Sequence, residues 1–142
     1  MSYDIRLLLV KSGECARDVA YRDEPRGEPC TAEQRARNKR IADALTAAYP
    51  EFDRFESERH FELTDTRCGT GMQVSLFCAS GAIMLPHWRK ENEADILERV
   101  DNVLRIVLQN SQFVAFDPQT EQELSQEGGL RGIAQIPFRP DH

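Results

Sequence analysis

The sequence predicts an α+β domain on the ferredoxin-like βαββαβ plan, an antiparallel sheet with two helices on one face. Three observations predict it. Residues 72–88 hold two apolar runs split by Ser80-Gly81, the pattern of a β-hairpin. A stretch of helical period lies on each side of that hairpin, at 31–49 and 92–110. Short apolar runs at 4–10 and 113–116 supply an outer pair of strands.

The first strand is Asp4-Ile-Arg-Leu-Leu-Leu-Val10, apolar on both faces after Arg6 as a central strand would be. Residues 11–30 are polar and carry Gly13, Pro25, Gly27 and Pro29, which reads as a long loop. Thr31 is a good helix N-cap, and Gln34 three residues on completes a capping box. Ile41, Leu45, Ala48 and Tyr49 make a narrow buried stripe, and Pro50 ends the helix. Arg35, Arg37, Lys39 and Arg40 read as a solvated face, with Glu33 one turn before Arg37 and Asp43 one turn after Lys39. A short extra strand is expected near 60–64. With Ser80-Gly81 as the loop, Ala79 pairs with Ala82, Cys78 with Ile83, Phe77 with Met84 and Leu76 with Leu85. One face then carries Val74, Leu76, Ile83 and Leu85. The other, with Phe77 and Met84, is also mostly apolar and needs a cover: the chain's own tail, a second copy or a partner. Ile96, Leu97, Val100, Val103, Leu104, Val107 and Leu108 form the continuous stripe of the second helix. Phe113-Val-Ala-Phe116 is the last strand, broken by Asp117-Pro118.

The length, 142 residues, suits one domain, placed at 1–119, with a tail at 120–142 that has enough apolar residues to dock on the sheet. The net charge of −6 argues against a nucleic-acid or anionic-membrane binder and suits a basic protein partner. No signal peptide and no run of the ~18–20 apolar residues of a membrane helix is visible, so a cytoplasmic setting is expected. Cys15, Cys30, Cys68 and Cys78 show no zinc spacing and are expected as free thiols, Cys78 as a small core residue. A Cys15–Cys30 disulfide is the conceivable alternative, since the two bracket the polar loop.

Three groups could carry function. Glu56, Glu58, Asp117, Glu121 and Glu123 belong to acidic runs and are assigned to partner binding. His87, Trp88 and Arg89 could bind an anion or planar ligand, though a core-capping Trp88 beside a solvated Arg89 is the commoner arrangement. Cys68, His60 and Asp65 are the only local set resembling a nucleophile, base and orienting acid, but no motif surrounds the cysteine. No catalytic residue, metal ligand or cofactor is assigned.

Met1-Ser-Tyr-Asp4, Leu85-Pro-His-Trp88 and Phe116-Asp-Pro-Gln119 resemble segments of a group of small, mostly uncharacterised bacterial cytoplasmic proteins, some of them immunity-type proteins of toxin systems. The likeness runs from residue 1 to about 119. It implies a non-catalytic inhibitor that binds one toxin and blocks it, and it brings no functional residues with it. The rival expectation is a homo-oligomeric domain, such as a homodimer, that binds a small molecule between subunits.

Overall fold

Tyr3–Leu8 forms β1, an interior strand of the sheet, as its apolar residues on both faces require. The computed structural model describes residues 3–21, 29–66, 71–85 and 93–124. The elements that follow are α1 (Ala16–Ala20), α2 (Ala32–Ala48), β2 (Asp53–Glu56), β3 (Phe61–Thr64), β4 (Gln73–Leu76), β5 (Ser80–Leu85), α3 (Glu93–Gln109), β6 (Val114–Asp117) and β7 (Gln122–Leu124). The strands form one sheet in the order β2-β3-β4-β5-β1-β6-β7, and every neighbouring pair is antiparallel.

This corrects the expected architecture. The fold is a seven-stranded antiparallel sheet with three helices among the described residues, and not the two-helix βαββαβ plan with a short extra strand near 60–64. Two short segments with no apolar period are responsible. Asp53-Arg-Phe-Glu56 is too charged to read as a strand, yet it pairs along its whole length with β3. Gln122-Glu-Leu124 pairs with β6 after a tight turn in which Glu121 takes a positive φ of 57°. The third helix, α1, lies inside the stretch expected as loop.

Side chains alternate across each strand, so register decides what is inside. Tyr3, Ile5, Leu7, Leu63, Val74, Leu76, Ile83, Leu85 and Ala115 share one face and are buried with Ile41, Ala42 and Leu45 of α2 and Val100, Val103, Leu104 and Val107 of α3. Among the described residues the opposite face is covered at one end only, where Ala16 and Ala20 of α1 pack on Leu8 and Phe116. The remainder of that face carries Arg6, Glu62, Thr64, Gln73, Ala82 and Met84.

The β4–β5 hairpin closes two residues earlier than its apolar runs suggest, which shifts each pairing partner by four. Leu76 faces Gly81 and Val74 faces Ile83, and the turn is Phe77–Ser80, closed by Phe77 N–H donating to Ser80 O at 2.8 Å. A slip by an even number keeps each side chain on its face, so the expected inner face survives the change of register. Gly81 is therefore a strand residue. A Cβ there would stand 2.7 Å from the Ser75 carbonyl oxygen and 3.0 Å from Leu7 Cδ1, so close approach selects glycine.

The start of α2 is tied to this turn by a disulfide. Thr31 and Gln34 make the expected capping box. Cys30, just before it, is bonded to Cys78 in the turn. This corrects the expectation of free thiols and the alternative pairing: Cys15 is free and exposed. Cys15 and Cys30 bracket a loop in sequence, but the fold carries Cys30 onto the hairpin instead. The tail expected to dock on the sheet, from residue 125 on, and Pro86 lie outside the described residues.

Candidate protein-binding surface

On the open sheet face, Phe55 of β2 sits opposite Glu62 of β3. Its ring is 5.3 Å from that of His60, and His60 is 5.8 Å from Phe77 in the hairpin turn. Three elements thus meet in one aromatic row. Phe55 is 53% exposed and Phe77 42%, values that a core-forming side chain would not keep. The row is built, not accidental. His60 is placed by Ser57, whose hydroxyl lies 3.3 Å from Nδ1, accepts the His60 backbone N–H at 3.1 Å and donates to His60 O at 3.1 Å. Phe77 is placed by Arg37 and Asn38 of α2. Arg37 Nη2 donates to the carbonyl oxygens of Phe77 and Cys78, both at 2.8 Å, and Asn38 Nδ2 donates to Phe77 O at 3.0 Å.

Charge around the row is mainly negative. Glu58 lies exposed in the loop that carries His60, and Glu62 beside Phe55 is half-buried. Glu56 is exposed at the end of β2, where it pairs with Arg54. Arg54 also bonds Asp43 at 2.9 Å, and hydrogen bonds from Arg54 and then Lys39 hold the Asp43 carboxyl below its ordinary range. Among the described residues β2 is an edge of the sheet, and one side of its backbone has no strand partner there. A comparison with family models, curated proteins and solved structures finds no match.

The five acidic residues assigned to partner binding do not form one patch. Glu56 and Glu58 lie at the β2 edge, and Glu121 and Glu123 at the β6–β7 turn on the opposite edge. Six strand spacings of about 4.8 Å put roughly 29 Å between the two edges. Glu121 pairs with Arg17 of α1 at 3.4 Å. Asp117 is fully buried: it accepts from the Tyr3 hydroxyl at 2.9 Å, the Thr120 hydroxyl at 2.9 Å and the Gln119 backbone N–H at 2.8 Å. It organises the turn and offers no surface.

His87, Trp88 and Arg89 lie outside the described residues, as does Cys68. His60 and Asp65 are not brought into a catalytic pair. Asp65 is buried and accepts from Arg99 Nε at 2.6 Å, while Arg99 Nη2 bonds Glu51 at 2.6 Å. The guanidinium also lies 4.5 Å from the Tyr49 ring centre, so it ties α3 to the segment after α2. No group of three or more His, Cys, Asp or Glu able to hold a metal occurs among the described residues.

Sequence reasoning missed the aromatic row. Phe55, His60 and Phe77 lie in three separate segments, Phe77 within an apolar run, and only the β2–β3 pairing and the hairpin turn assemble them. One signal was available: a lone phenylalanine inside Asp53-Arg-Phe-Glu56 has no apolar period to belong to.

Proposed function

We propose that this chain is a non-catalytic protein-binding module whose contact surface is the β2 edge of the sheet. The observation that carries the reading is the exposed Phe55–His60–Phe77 row with carboxylates around it. Aromatic side chains held rigidly at a surface lose little conformational freedom on binding and make the energetic centre of many interfaces. The surrounding Glu58 and Glu62 select a basic partner and speed its approach. The partner class proposed is a basic protein, and in the form implied by the resemblance to immunity-type proteins, a toxin held inactive.

Affinity capture from the source cells with four baits tests this. Wild type and the Glu121→Lys/Glu123→Lys double variant should retain the same basic protein, while Phe55→Ala and Phe77→Ala should each weaken its binding about tenfold or more. Circular dichroism checks that each bait is folded. Loss of binding in the Glu121/Glu123 variant with full retention by Phe55→Ala would overturn the placement at β2. Co-expression with the captured protein then asks whether the chain neutralises a toxic activity.

A second reading is self-association, supported by Met84, which is 36% exposed on the same open face as Phe77. Sedimentation equilibrium of wild type and Met84→Glu tests it, and a monomer at every concentration removes it. No helix among the described residues is long and apolar enough to cross a membrane. A cytoplasmic setting, expected from the sequence, would keep Cys30 and Cys78 as thiols, whereas an oxidising compartment would preserve their bond. Trapping the thiol state at the moment of cell lysis distinguishes the two.

A further inference from the structure

Arg37 is 8% exposed and pairs with no carboxylate among the described residues. Its contacts are neutral: Asn38 Oδ1, two backbone carbonyls and the Phe113 ring, 4.4 Å below the guanidinium. Burial, and then repulsion from Arg40, lower its pKa to about 10. Nε and Nη2 thus have acceptors, but these are neutral, and the desolvation cost of the buried charge is what a nearby anion would offset. Beside it opens a cleft of about 840 Å³. One wall is the first turns of α2, with Thr31, Glu33, Arg37 and Arg40. The other is the end of α3 and its exit, with Gln109 and Gln112.

We propose that this cleft binds a phosphate monoester on a sugar-sized, hydroxylated body, with the phosphate against Arg37 and Arg40. The walls set that chemistry. Two cations oppose the one carboxylate of Glu33, so a small anion is favoured over a polyanion. The start of α2 adds the positive end of its dipole to the same side. The opposite wall is neutral and amide-rich, and the C-terminal end of α3 suits hydroxyl donors. An apolar ligand would leave these groups without partners. The cleft shares Arg37 with the hairpin turn that carries Phe77, but it rests on its own lining and not on the role proposed for the aromatic row.

The test uses the full chain labelled with ¹⁵N, titrated at low ionic strength with ribose 5-phosphate and with ribose. Ribose 5-phosphate should shift the backbone amides of residues 31–37 and 109–112 saturably, and ribose should not. Arg40→Gln, at an exposed position, should weaken binding about tenfold while leaving distant amides in place. Lys39→Gln removes the same charge one residue away, where it pairs with Asp43 at 3.0 Å, and should change affinity less than about twofold. Absence of saturable shifts at millimolar concentrations, equal binding of ribose, or an equal loss in Lys39→Gln would each overturn the proposal.

Discussion

Tyr3 and Asp117 show what a single buried pair contributes. Burial, then the Asp117 charge and hydrogen bond, push the Tyr3 phenol far above its ordinary value. A raised phenol pKa means that its stabilising contribution is complete below the unfolded value near 10 and is lost as pH rises past it. In an alkaline absorbance titration, Tyr3 should therefore ionise only as the fold opens. Tyr3→Phe should cost about 2 kcal/mol in denaturant unfolding at pH 7, because the Asp117 carboxylate loses one charge-assisted donor while Thr120 and Gln119 remain. Two further carboxyls carry opposite signs. Asp43, held down by Arg54 and Lys39, contributes stability above its unfolded pKa and loses it as pH falls through the lowered one. Asp101 is raised by burial against the opposing pull of Arg105, and its Oδ1 has no hydrogen-bond partner. Its charged form therefore opposes folding, and that penalty is relieved as pH falls through the raised pKa. Carboxyl ¹³C titration should place Asp43 below and Asp101 above the ordinary value of about 3.9. The inward position of Asp117 was within reach of the sequence, since a period of two from Phe113 and Ala115 puts it on the inner face.

At the scale of elements, α2 was the most legible part of the chain and also the most misleading. Its cap, its Ile41–Leu45 stripe and the Lys39–Asp43 pair follow from residue type and spacing. Arg37 and Asn38 do not, because polar residues on a helix read as solvated unless the partner that needs them is known. Here the partners are carbonyls of the hairpin turn, some 40 residues away in sequence. The same clamp explains the misplaced hairpin. Local pattern favours Ser80-Gly81 as the loop, whereas tertiary bonds fix the turn at Phe77–Ser80. The Cys30–Cys78 bond completes that clamp across a sequence separation of 48. Loop-closure entropy alone gives it about 4 kcal/mol. Cys30→Ser/Cys78→Ser should lower stability by up to that amount in chemical denaturation. Alkylation of the unfolded, unreduced chain should modify Cys15 and spare Cys30 and Cys78.

At the scale of the molecule, the inner core was legible because alternation and helical period both survive errors of register and length. The sheet's extent was not. β2 and β7 are short and polar, and they are strands only because a neighbour offers them a ladder. Their presence moves the acidic residues to opposite rims and turns Phe55 into a surface feature. The strand order carries one more consequence, for synthesis. β1 is made before the other strands described, yet it bonds to β5 and β6. At about 5–20 residues per second, a ribosome needs roughly 4–15 s after β1 to deliver β5. Through that interval β2, β3 and β4 can zip locally, while Ile5, Leu7 and Leu8 wait as a sticky, unclaimed ribbon. A nascent chain of this design calls for chaperone cover over β1 until β5 and β6 arrive.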